Sequence, residues 1–544
     1  MKTSKQVLNE SSFILIVSAA FVKIISAIFK IPLASDRVLG NIGFGYFSVA
    51  HDIFMPFYVL AISGLPAAIS HITAEFLANE KYHSIQNSYK SIRKLFLIMG
   101  SLAAGLVAII AIIISLFSRS AINNLYSILA VAPAIFLCFI ISIYRGFFEG
   151  YKNMRPTAVS KIIQAVIKSF LGLIFALIVI KATNNYALAA AAATLSISIG
   201  TLAATIYLKY KFKHNNPFSN SLCQDNTKVD SLKLNSILVL ALPFALASLA
   251  SSLIALVDAI TVNFTISNAS QNYLDIVKEA YLPNNLTNQI NFDITAHLYG
   301  IRSKAFTIYD LIPTISMSIG LGALPTLTHS HATDDATSLK NNTNYVVKMI
   351  NTVAFPAAIG IAVLGGPIMN LLYSNTDSLS ANILTIYGIA ALFAGLSVPL
   401  TTVLQSLNCQ YKALRHIIIG LILKVISNLI LLQFANLNIC AAALGTLCCY
   451  LYITIAFIIL LSKEVKIDYK NAFIKPFISA GFCGLTAYLI SLISNNKLIS
   501  VLAIVAGFIV YLIFILLTKT FTSSELSNFP IINKLLPIKN TTKT

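Results

Sequence analysis

Fourteen times along this chain an apolar run of about 20 residues recurs, and at ~1.5 Å per residue each is long enough to cross a bilayer as a helix. The runs lie near 11–34, 43–70, 93–117, 122–146, 156–181, 184–208, 235–257, 301–325, 346–370, 380–405, 413–433, 438–462, 472–494 and 498–518. In hydrocarbon every backbone N–H and C=O needs a partner within the protein, which leaves only helices or closed barrels, and runs of this length are not barrel strands. Composition agrees: 10% of the 544 residues are charged and mean hydropathy is +0.81, whereas soluble domains carry about 25% charge. The first run is too long for a cleavable signal and has no small-residue cleavage site, so it is expected to stay as a first span. Pro56, Pro66, Pro243, Pro313 and Pro325 fall inside these runs, where kinked membrane helices tolerate them.

A net charge of +19 would suggest a nucleic-acid partner in a soluble protein. In this chain the cations sort by loop. With a cytoplasmic N-terminus, the outer loops hold Arg37, Arg119, Lys181, Lys278, Arg302, Lys304 and Lys497, five lysines lie well inside the runs, and the remaining 26 of 38 Lys and Arg are cytoplasmic. That is the positive-inside asymmetry, and it requires an even number of spans. The expectation is fourteen spans with both termini in the cytoplasm and no nucleic-acid partner.

The two halves of the chain repeat at an offset of about 256. Ile162–Lys168 matches Ile418–Lys424, lysine on lysine; His51-Asp52 matches Tyr309-Asp310; Gly64-Leu65-Pro66 matches Ala323-Leu324-Pro325; Ala189–Thr194 matches Ala441–Thr446. Each half has six runs and begins on the same side, so the repeats are parallel, with a substrate path expected between them near mid-membrane. The expected architecture is an all-α integral membrane protein with an N-terminal lobe at 1–208, a basic cytoplasmic linker at 209–234, a C-terminal lobe at 235–462, and two accessory helices with a tail at 463–544. Residues 258–300 read as a long polar outer loop, either a small cap or a disordered stretch.

Five lysines lie well inside the runs rather than at their edges: Lys23, Lys30, Lys161, Lys168 and Lys424. A cation at mid-bilayer costs ~2.5–3.5 kcal/mol on insertion scales, so it faces water or a partner. Lys23, Lys168 and Lys424 fall near mid-membrane. Lys161 is shallower toward the cytoplasm and Lys30 toward the outside, where snorkelling competes as an explanation. Lys23 and Lys30 are seven residues apart, as are Lys161 and Lys168, so each pair shares a helix face. Five cations point to a cavity for an anion. The acids are fewer. Asp52 and Asp310 are repeat mates, readable as counter-ions to the lysines or as carriers of a coupling H⁺ or Na⁺. Glu149 is four residues from Arg145, the spacing of a simple helical ion pair. Asp258, at the outer end of the seventh run, reads as solvated. His329 and His331 with Asp334 and Asp335 read as a solvated turn rather than a metal site. The seven cysteines have no ligand spacing and read as helix-packing residues. No nucleotide, zinc or nucleophile motif marks an enzyme, and no cofactor is expected.

Lys30-Ile31-Pro32-Leu33, Gly43-Phe44-Gly45-Tyr46, Gly64–Ser70 with Ala74-Glu75, and Arg145–Gly150 with Asn153-Met154 and Pro156-Thr157-Ala158 together resemble the stage V sporulation protein B and polysaccharide-exporter family. These motifs cover about the first 170 residues. The family sits in the MOP exporter superfamily, beside the lipid II flippases and the multidrug MATE antiporters. The resemblance implies a fourteen-helix exporter in the bacterial cytoplasmic membrane that moves undecaprenyl-diphosphate-linked saccharides between leaflets by alternating access. It implies that cations on the first helix, here Lys23 and Lys30, meet the diphosphate, and that the last two helices hold the lipid tail. This chain has lysines where lipid II flippases favour arginines, and Glu149 stands where relatives often carry glutamine. A cation-coupled MATE-type antiporter would instead need an acid-lined cavity. A non-transporting scaffold for envelope synthesis would leave the lysines without a purpose.

Overall fold

The computed structural model describes residues 18, 21–22, 25–79, 81–117, 121–215, 234–281, 292–373, 378–494, 496–522 and 525. The described residues are helical, with no strand among them. Residues 25–33 form α1. It is followed by α2 (Gly40–Ile62), α3 (Gly64–Ala78), α4 (Tyr82–Phe117), α5 (Ala121–Gly150), α6 (Arg155–Thr183), α7 (Tyr186–Asn215), α8 (Leu234–Ser267) and α9 (Gln271–Tyr281). Then come α10 (Ile294–Tyr309), α11 (Leu311–Ala332), α12 (Ala336–Val363), α13 (Gly365–Leu372), α14 (Ser378–Ser406), α15 (Gln410–Leu431), α16 (Cys440–Glu464), α17 (Lys475–Ser491, entered through a π-turn at Lys470–Ile474) and α18 (Lys497–Leu517).

Among the described residues, twelve helical segments are long and apolar enough to cross a membrane, or thirteen if the α8–α9 pair, bent by 105°, is one span. The first expected run, 11–34, lies mostly outside the described residues, and so do Lys23 and most of the 209–234 linker. Local chemistry sets several ends. Pro156 and Pro476 sit in the first turns of α6 and α17, where their missing N–H removes no helix bond. Asn184, left-handed at φ 51°, ends α6. The Asp335 carboxylate accepts from the Ser338 N–H at 3.0 Å and caps α12, so this member of the expected solvated turn serves the helix start. The α2–α3 span breaks at Ser63, three residues before Pro66, and the α10–α11 span breaks at Asp310, three before Pro313. Each proline lacks the N–H that would bond back across the break.

The chain divides into two compact units, residues 1–307 with 417–449, and residues 308–416 with 450–544. In the first, α5 packs on α4 and α7, α6 on α7, and α2 on α5 and α8. Helices α2 and α10 touch backbone to backbone. A Cβ on Gly45 would run into the Ala296 carbonyl, and one on Gly300 into the Asn41 carbonyl, so both crossing points require glycine. In the second unit, α14 packs on α11 and α12, and α17 packs on α12 and α18. The faces of α17 and α18 carry exposed Phe482, Leu489, Leu502 and Phe508, as expected where lipid rather than water is the solvent.

The structure corrects two expectations. The seventh run does not stop at 257: α8 continues to Ser267, and the polar stretch after it includes α9, which buries Tyr273 and Val277, with 282–291 outside the described residues. The eighth span begins at Ile294, not 301, so Arg302 and Lys304 belong to a helix and are buried rather than standing in an outer loop. A hydropathy scan leaves such charges at the edge of a span, whereas in the fold Arg302 is neutralised by acids on other helices.

Candidate functional site

Four charges meet inside the first unit, one from each of four helices. Arg302 on α10 is fully buried. One guanidinium nitrogen donates to Asp52 Oδ2 on α2 at 3.0 Å, and the other forms a short bond to Asp258 Oδ2 on α8. Asp258 Oδ1 accepts from the Lys424 ammonium on α15 at 2.8 Å and from the Asn428 amide at 2.8 Å. The Lys424 ammonium also donates to Thr446 Oγ1 at 2.6 Å and to the Ala442 carbonyl at 3.5 Å. Tyr299 donates its hydroxyl to Asp52 Oδ2 at 2.7 Å, and Arg302 lies over the Tyr299 and Phe306 rings at 5.1 and 4.5 Å. Two cations and two anions give a neutral, interlocked set. Such an arrangement survives burial only if the pairing is complete, because each lone ion would bear a desolvation penalty of several kcal/mol.

Local sequence builds this set. Tyr299 and Arg302 are three apart on one helix face, which is why phenol and guanidinium converge on the same carboxylate. Lys424 and Asn428 are four apart and address the same Asp258 oxygen. Gly445 is what lets Asn428 in, since a Cβ there would overlap its side-chain oxygen.

Asp258 is therefore not solvated but fully buried, and Lys424 likewise has no exposure; the charge of Lys424 is met by protein. Asp52 is a counter-ion, but to Arg302 rather than to a lysine. Its repeat mate Asp310 occupies a different position, half-buried at the start of α11 in the second unit.

The other lysines lie in the N-terminal helices. Lys168 on α6 is half-buried and donates to Ser26 Oγ of α1 at 3.4 Å. Lys30 on α1 is half-buried, and both Lys30 and Lys168 act electrostatically on His51 of α2, which itself lies 3.5 Å from Asp52. Two cations from separate helices thus converge beside α2. Lys161, half-buried two turns away on α6, falls in a different cluster with Glu149 and Arg145. There Arg145 donates to Ser160 Oγ at 3.0 Å and to Gln164 Oε1 at 3.4 Å. Sequence reasoning missed Arg302, Tyr299 and Asn428. The signal for Arg302 was the surplus of intramembrane acid on α2 and α8, which needs a cation.

A helical bundle of many candidate spans, with ions paired in its interior and half-buried lysines beside them, is the build of a multi-pass membrane protein. Residues 8–282 match the family model described as polysaccharide biosynthesis protein, and 306–530 match that of the lipid II flippase MurJ. The chain belongs to the polysaccharide biosynthesis protein family. It is 24% identical over 464 residues to lipid II flippase MurJ of Bacillus subtilis (strain 168), covering 82% of this chain and 81% of that one. It is 22% identical over 549 residues to stage V sporulation protein B of the same organism, covering 98% and 99%. Its fold matches a solved structure of lipid II flippase MurJ in an inward closed conformation with a TM-score of 0.67 at 15% identity, over 92% of this chain and 98% of that one.

Proposed function

We propose that this chain is a flippase that carries a lipid-linked, diphosphate-bearing saccharide, such as lipid II or a polysaccharide precursor, across the bacterial cytoplasmic membrane by alternating access. The observation that carries the reading is the approach of Lys168 on α6 to α1, where it reaches Ser26, one helical turn from Lys30 on the same face; both cations are half-buried. A diphosphate crossing hydrocarbon needs cations that are held within the membrane yet reachable. Lys30 and Lys168, with Lys23 of the same expected first run, are given that role. Lys161 would meet the headgroup at the Glu149–Arg145 cluster. Lys424, whose charge is taken up by Asp258, is given the role of tying helices together. Fourteen spans in two parallel six-helix lobes (1–208 and 235–462), two accessory helices and cytoplasmic termini complete the reading. With no nucleotide-binding motif, the drive falls to an H⁺ or Na⁺ gradient, the membrane potential or consumption of the product, and Asp310 and Glu149 are the acids to test for coupling.

Asp52 and Asp258, the acids an antiporter for cationic drugs would need open, are both engaged by cations, so the antiporter reading gains nothing from them. The test is to follow outer-leaflet appearance of lipid II in cells carrying Lys30→Gln or Lys168→Gln. Loss of translocation with normal membrane insertion is expected. Wild-type translocation by properly inserted variants overturns the cationic site.

A further inference from the structure

In the second unit, the start of α12, the segment after α16, the π-turn leading into α17 and the segment after α18 line a cavity of about 800 Å³. Its lining carries five lysines (340, 348, 466, 475 and 519) against two carboxylates, Asp468 and Glu525. One carboxylate is already committed: Glu525 accepts from the buried Lys348 ammonium through both oxygens, at 2.6 and 2.7 Å. The other, Asp468, accepts from the Asn471 backbone N–H at 3.2 Å and side chain at 2.6 Å. The walls are strapped together. Asn344 donates to the Lys466 carbonyl and accepts from the Asp468 N–H, and Asn351 donates to the Ala472 carbonyl. Lys475 donates to the Lys519 carbonyl at 3.1 Å. A π-turn at such a place is a frequent mark of a functional site.

We propose that this cavity binds the phosphate of an anionic membrane phospholipid, with Lys340, Lys466 and Lys519 as the exposed cations that meet it. A basic pocket between helices at a membrane end is the form that recognises lipid phosphate. The choice of lipid over a free anion comes from the neighbouring surface. Ile474, Phe477 and Ile478, flanking Lys475 in the π-turn and α17, are 51, 51 and 46% exposed and offer an apolar face to acyl chains directly beside the phosphate site. Glu525 is the resident carboxylate that holds Lys348 while no phosphate is near. The site is separate from the translocation reading, and its test does not measure transport.

The experiment is native mass spectrometry of the purified full chain in detergent, titrated with phosphatidylglycerol and phosphatidylcholine of identical acyl chains, and separately with inorganic phosphate. Wild type is expected to retain phosphatidylglycerol in preference to phosphatidylcholine. Each surface lysine is worth about fivefold in affinity, so the K340Q/K466Q/K519Q variant should weaken phosphatidylglycerol by roughly a hundredfold and lose the preference. Because misfolding would also weaken binding, E525Q supplies the opposite sign: releasing Lys348 should tighten phosphatidylglycerol by about fivefold. Equal retention of the two lipids by wild type, an unchanged preference in the triple variant, or weaker binding by E525Q each overturns the proposal. Retention of inorganic phosphate without any preference between lipids also overturns it, and makes the site one for a soluble anion.

Discussion

Lys168 and Lys424 occupy matching places in the sequence repeat, seven residues into the same pattern on α6 and α15, yet they live in opposite surroundings. Lys424 is fully buried, with Asp258, Thr446 and the Ala442 carbonyl around its ammonium. Lys168 is half-buried and reaches a hydroxyl, Ser26 Oγ, across to α1. The difference lies in what the neighbouring helices bring. Helix α8 carries Asp258 to Lys424, whereas α1 carries Lys30 into the neighbourhood of Lys168. One copy of the repeat uses its lysine to hold helices together, and the other keeps its lysine beside further positive charge. The surroundings of a membrane cation thus follow from what neighbouring helices bring, not from its depth.

The comparison is broken most forcefully at Arg302, which serves both Asp52 and Asp258. Arg302→Gln leaves two carboxylates in the interior with no guanidinium, and removing one member of a buried ion set costs about 3–5 kcal/mol. The midpoint of thermal unfolding in detergent is expected to fall further than for Lys424→Met, Glu525→Gln or Lys168→Met. A thiol-reactive dye suits the measurement, since Cys138, Cys449 and Cys483 are buried and the chain has no tryptophan to report unfolding. An unchanged midpoint would mean that the four-helix ion set contributes nothing to the fold.

Lys424→Met comes next. Asp258 keeps Arg302 and Asn428 as partners, so the loss is expected at about 2–3 kcal/mol, the penalty for a buried charge left partly unsatisfied. Adding Asp258→Asn removes the charge that was stranded, and the double variant should lose less than the sum of the two singles, with a coupling of about 1–3 kcal/mol. Additive losses would show that Lys424 and Asp258 are not energetically linked.

How much of this is legible in the sequence follows from what a sequence window can see. Apolar runs are local, so the helices and their approximate ends can be read, and so can the prolines that break two of the spans. The ion set cannot, because Asp52, Asp258, Arg302 and Lys424 are up to 372 residues apart in sequence and meet only through helix packing. The hydropathy scan even works against it. Arg302 and Lys304 lower the local score and move the expected start of α10 seven residues too late. Lys168 and Lys424 look alike for the same reason: the pattern around each is apolar, and the carboxylate that separates them comes from a distant helix.

A third lysine sits between these extremes. Lys348 pairs with Glu525, whose side chain keeps 22% exposure, so the pair is worth at most about 1 kcal/mol. Partial burial pushes the Glu525 carboxyl up, but the bonds from Lys348 and from the Thr522 backbone N–H outweigh it and hold it below its ordinary 4.5. A lowered carboxyl pKa contributes stability that is complete above the unfolded value and fades as pH falls through the folded one. The wild-type advantage over Glu525→Gln should therefore be full at pH 7 and shrink below about pH 4.5. A difference between the two melting midpoints that stays constant from about pH 7 to about pH 3.5 would count against the pair.

The smallest expected effect on stability belongs to Lys168, and it is the most informative for function. Lys168→Met removes a half-buried cation whose hydrogen bond to Ser26 is long, 3.4 Å, and it relieves the charge that Lys168 and Lys30 jointly impose on His51. The change in stability should stay within about 0.5 kcal/mol, because the side chain is only half-buried and its bond to Ser26 is long. Translocation, by contrast, should fall severely, and Lys168→Arg should restore much of it, because the charge and its reach are kept. For Lys424→Met the order reverses, with stability lost first and transport lost only in proportion to folded protein. If Lys168→Met melts the protein while leaving transport per folded molecule intact, the two copies of the repeat use their lysines alike, and the contrast between them disappears.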